Sequence, residues 1–125
     1  MSYFLLCVTG MALTDLEAKR IERTVAQFVE RRRPPPHVRP QLDLGFRVSG
    51  QSVEIFEVRP RWDNPSEKME RPVAKATFVK SSGKWTVFWM RADLKWHRYP
   101  HMPQVRSLEH FLELVEEDAH SCFFG

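Results

Sequence analysis

The side chains best suited to chemistry lie in two short stretches, RPRW at residues 59–62 and MRADLKWHRYPHMP at residues 90–103. Arg59, Arg61, Trp62, Arg91, Lys95, Trp96, His97 and Arg98 combine guanidinium forks, an ammonium and large rings. Arginine forks grip phosphate in pairs of hydrogen bonds, and aromatic rings stack on bases. The pattern therefore points to nucleic acid or another polyanion. The competing structural reading pairs Arg59 and Arg61 with Glu57, Asp63, Glu67 or Glu70 and uses Trp96 and Tyr99 to roof the core.

Three sharper chemistries need particular partners. A metal-dependent phosphoesterase or nuclease holds its metal between carboxylates and steadies the hydroxide with a lysine. Asp43 with Glu57-Val58-Arg59 has that outline, but arginine replaces the lysine. Asp93-Leu94-Lys95 is a weaker version, so Glu57 and Asp93 are the acid/base or metal groups of the enzymatic alternative. Zinc could draw on His97, His101, His120 and Cys122, although no paired-cysteine motif anchors such a site. A nucleophilic thiol needs a cationic neighbourhood. Cys122 lies between Phe123 and acidic residues, so a structural thiol is expected, and Cys7 supports no claim. No cofactor is expected.

The chain has 125 residues and a net charge of +3, which conceals a strong asymmetry. Residues 1–106 carry all 19 Lys and Arg against 11 acids, and residues 107–125 carry five acids alone. A basic body with an acidic tail element suits a polyanion partner or an internal charge match. The apolar run Tyr3 to Val8 is too short for a signal peptide and lacks a basic start. Two cysteines and no apolar run of membrane-spanning length lead us to expect a cytoplasmic protein with reduced thiols.

These residues must be positioned by local structure. Thr14-Asp15-Leu16-Glu17 is a capping box opening a helix of about five turns. Ala18, Ile21, Val25, Phe28 and Val29 form its apolar stripe. Arg31-Arg32-Arg33 favours the negative end of the helix dipole, and Pro34-Pro35-Pro36 stops the helix. Residues 41–48 and 52–59 alternate as a hairpin about Gly50-Gln51, setting Arg47 opposite Glu54, Phe46 opposite Ile55 and Gly45 opposite Phe56. That register sets Leu44 opposite Glu57, so Asp43 and Glu57 should project from opposite faces of the sheet. Residues 60–72 are expected as a loop. Residues 73–80 and 85–91 form a second hairpin about Ser82-Gly83, pairing Ala76 with Trp89 and Phe78 with Val87. Ser107 caps a last helix running to about Ala119, and Phe123 and Phe124 are expected to dock on the core.

The expected fold is α+β in the order α-β-β-β-β-α, a four-stranded antiparallel meander with both helices mainly on one face. Residues 1–10 are read as an N-terminal extension and residues 11–125 as one domain. Phe46, Ile55, Phe78 and Val87 are the expected sheet core. The meander brings the two basic stretches to one end, where Leu94 and one face of Trp96 should close the sheet edge. The functional expectation is a small binding module for nucleic acid or another polyanion. The alternatives are an enzyme acting on phosphate esters at the same edge, or a domain that contacts a protein partner.

The phrases RRRPPPHVRPQLDLG, QSVEIFEVRPRW, PVAKATFV, WMRADLKWHRY and CFFG resemble a small bacterial family described only as a domain of unknown function, number 3024. The likeness runs from about Met11 to Gly125. It implies no activity, cofactor or catalytic residue. It agrees with a domain that begins near Met11.

Overall fold

The computed structural model describes residues 14–124. The expected extension, residues 1–10, lies outside them, as does Cys7. Helix α1 (Asp15–Arg32) opens with the capping box: Glu17 N donates to Thr14 Oγ1 at 3.1 Å and Thr14 N donates to Glu17 Oε1 at 3.0 Å. These bonds hold the Glu17 carboxyl below its ordinary range. Its buried stripe is the five residues of the apolar pattern, with Phe28 and Val25 almost wholly withdrawn from water.

Strand β1 (Asp43–Ser49) pairs with β2 (Ser52–Pro60) in the register read from the sequence: Phe46 faces Ile55, Arg47 faces Glu54 and Leu44 faces Glu57. Gly45 is required there, because a Cβ would stand 2.7 Å from Cε1 of Phe56. Strand β3 (Lys68–Val79) is longer than the sequence suggests and pairs Lys68 with Pro60. The thirteen-residue loop expected at 60–72 is thus nearly half strand, and the connection is 61–67. Alternation was obscured there by the prolines and by a register shift after Ile55, where Val73 has no partner opposite it.

Strand β4 (Lys84–Met90) pairs with β3 two residues away from the expected register: Ala76 faces Val87, Phe78 faces Trp85 and Ala74 faces Trp89. The turn is four residues, Lys80 to Gly83, closed by Ser82 N and Gly83 N donating to Val79 O, with Gly83 at φ 68°. A shift of two preserves the face of every side chain, so Val87 is still core. Ile55 and Val87 are fully buried, whereas Phe46 and Phe78 pack at the margin of the core.

Among the described residues the sheet has six strands, not four. Strands β5 (Trp96–Arg98) and β6 (Gln104–Val105) both pair with β4. They seal the edge of β4 that a four-stranded meander would leave unpaired. Their lengths, three and two residues, are too short for alternation to show. Helix α2 (Leu108–Glu117) is capped by Ser107, whose Oγ accepts from His110 N at 3.1 Å. It ends at Asp118, φ 44°, short of the expected Ala119. Both helices lie on the face made by Leu44, Val53, Ile55, Ala74, Ala76 and Val87. The Asp118 carboxylate accepts from Phe123 N and Phe124 N, which folds the chain end back and buries Phe123 as expected.

Candidate polyanion-binding surface

Antiparallel pairing brings the β2–β3 connection and the β4–β5 turn to the same end of the sheet. Their electrostatics differ. Arg59 donates to Glu57 Oε1 at 2.9 Å, and Arg71 reaches the same oxygen at 3.5 Å. Arg61 grips Asp63 with two bonds of 2.9 and 2.7 Å and stands 3.9 Å from Glu67. This pairing keeps the Asp63 carboxyl below its ordinary range. From Glu57 to Arg71 the chain carries four basic and four acidic residues, so this hairpin is charge-balanced. Its tip displays Trp62, which is 90% exposed.

The β4–β5 hairpin keeps its charge. Arg91, Lys95 and Arg98 have no carboxylate within ion-pairing distance among the described residues. Asp93 is the one acid in the segment 91–98. Its carboxylate accepts from His97 Nε2 at 2.8 Å and from Lys95 N at 3.0 Å. The bond to His97 is the main reason that its carboxyl lies below the ordinary range, with Arg91 adding attraction. Arg91 also stands over the Trp89 ring at 5.7 Å.

Alternation divides this hairpin between two faces. His97 faces Trp89 on the helix side, while Trp96 faces Met90 and Arg98 faces Phe88 on the opposite side. Leu94 does not close the sheet edge as expected. It occupies the tight turn at φ 61° and is 81% exposed. The turn itself is closed by Leu94 N donating to Arg91 O, which leaves the leucine side chain nothing to pack on.

Two residues that the basic stretches did not mark belong to the same surface. Lys75 on β3 and Phe88 on β4 face each other, with the Lys75 ammonium 5.1 Å from the Phe88 ring and 5.3 Å from the Trp96 ring. The signal was present in AKATF, where Lys75 stands between two core alanines and so must face away from the helices.

The remaining candidates are engaged elsewhere. Arg33 binds Asp43 through two bonds of 2.9 and 2.8 Å, which holds that carboxyl below its ordinary range. Asp43 and Glu57 border one cleft with Arg32 and Phe124, but each carboxylate is already held by an arginine. Of the four candidate zinc ligands, His101 and His120 stack at 3.5 Å and Cys122 Sγ lies 3.6 Å from the His120 carbonyl oxygen. His97 is bound to Asp93. Among the described residues no group of three or more His, Cys, Asp or Glu is arranged to hold a metal. Burial, with Asp118 adding repulsion, pushes the Cys122 thiol up, which suits a packing role.

An antiparallel sheet that carries both helices on one face defines a two-layer α+β protein. Within that class the chain belongs to the family described as domain of unknown function DUF3024, matched over residues 13–125. No curated protein and no solved structure matches it. No described helix is long and apolar enough to cross a membrane.

Proposed function

We propose that this protein is a small cytoplasmic binding module that takes nucleic acid or another polyanion along its β4–β5 hairpin. The observation that carries the reading is the run of cations Arg91, Lys95 and Arg98 without carboxylate partners, set beside Trp96. A phosphate approaching them displaces no internal ion pair, whereas one approaching Arg61 must compete with Asp63. The site is accordingly narrower than the full set of basic residues: Arg59, Arg61 and Trp62 frame it and Arg91, Lys95, Trp96 and Arg98 grip it. Fluorescence anisotropy with a labelled oligonucleotide at low salt tests this. Binding should be present in the parent protein and lost in Lys95→Glu/Arg98→Glu. Equal affinity in the parent and the double variant would overturn it.

Trp62 favours a second reading, contact with a protein partner. A large ring at 90% exposure on a charge-balanced tip has the character of an interface anchor. A complex that withstands salt and is lost in Trp62→Ala would identify that role.

A further inference from the structure

The face of the sheet turned away from the helices has its charges sorted across the strands. On the β1–β2 side, Arg47 lies over the Phe56 ring at 4.7 Å and is held by Glu70 at 2.9 Å and Glu54 at 3.5 Å. On the β3–β5 side, Lys75 stands opposite Glu54 without an ion pair to it, Arg98 has no carboxylate within ion-pairing distance among the described residues, and Phe88, Met90 and Trp96 lie between and beside them. Lys75, Phe88 and Arg98 form one row across three strands, with Met90 and Trp96 as the next row. Phe88, Met90 and Trp96 are all half-buried, and no described helix packs on this side.

We infer that this half-face is a stacking platform for single-stranded nucleic acid, and that it selects single strands over duplexes. The inference rests on the polyanion reading and specifies its ligand. Phe88 and Trp96 are diagonal neighbours on adjacent strands, about 7–8 Å apart, so two rings are offered to unpaired bases from one flat surface. Stacking requires bases with free faces, which a duplex withholds. Lys75 between the rings and Arg98 at the edge supply the positive charge for the linking phosphates. Glu54 on β2 and Glu70 on β3, gathered around Arg47, repel the strand from the other half of the face and so fix where it lies. A ligand recognised by charge alone needs neither ring.

The test is titration of the full chain with a short oligothymidylate, the same sequence paired with its complement, and inorganic polyphosphate at matched salt. The single strand should bind at least about tenfold more tightly than either competitor. Trp96→Ala should weaken single-strand binding by about 5- to 150-fold and leave polyphosphate binding unchanged. Phe88→Leu, which keeps apolar volume without a ring, should act in the same direction, and its near-ultraviolet circular dichroism checks the fold. Equal binding of all three ligands, unaffected by either substitution, overturns the platform and leaves the polyanion reading standing. Failure of every ligand to bind at low salt overturns both.

Discussion

Among the described residues Phe28 and Phe111 are the two largest side chains fully withdrawn from water, one on each helix. Replacing either with alanine removes its transfer energy and leaves a cavity, so each change should cost about 3–5 kcal/mol by urea denaturation. A variant that unfolds at the parent midpoint would show that its helix is not docked. Gly45→Ala should cost about 1–3 kcal/mol, since the new methyl meets the Phe56 ring at 2.7 Å. Adding Phe56→Leu should recover part of that loss, and no recovery would contradict the contact. Asp43 gives a pH signature. Its carboxyl is lowered by Arg33, so the stability it contributes is present above its unfolded value, about pH 4, and lost as pH falls through the folded value. Asp43→Asn should remove this part of the acid limb, and an unchanged limb would count against the pair. The contacts of Gly45 and Arg47 were readable from sequence because a two-residue turn fixes the register close by. The capture of Arg59 by Glu57 was readable only as an alternative, since two residues on one face of a strand can pair or can diverge.

Among the elements, α1, α2 and the first hairpin follow from periodicity and caps that recur over many residues. The extended β3, β5 and β6 do not. Their pairing depends on distant backbone partners, as when Val87 N donates to Pro103 O and Tyr99 N donates to Val87 O. The second hairpin kept its faces and lost its register for a related reason: Gly83 can end a two-residue or a four-residue turn. The end of α2 makes a local prediction. Asp118 holds the chain terminus through two backbone bonds, with Phe124 packed beneath Arg32 at 4.5 Å. Asp118→Ala should speed amide exchange at Phe123 and Phe124 while the α2 amides remain protected. Unchanged protection at those two positions would show that apolar packing alone secures the terminus.

Across the whole molecule, the charge asymmetry of the sequence is partly consumed inside the fold. Acidic α2 meets α1 through Arg20–Glu109 and Arg32–Glu116, and the β2–β3 hairpin neutralises itself. The β4–β5 hairpin keeps Arg91, Lys95 and Arg98 close together without ion pairs among the described residues, a distinction from the neighbouring arginines that the sequence does not show. That distinction depends on ion pairs that only the folded chain reveals. Three cations gripping three phosphates give a log–log salt slope near −2 on a single strand, at about −0.7 per phosphate. The most direct measurement is that slope, taken for the parent protein, Arg61→Gln and Lys95→Gln/Arg98→Gln. The slope should be near −2 for the parent and for Arg61→Gln, and well under half as steep for the double variant, about −0.7. Absence of binding at low salt, or a slope that falls with Arg61→Gln and not with the double variant, would contradict polyanion binding at this hairpin.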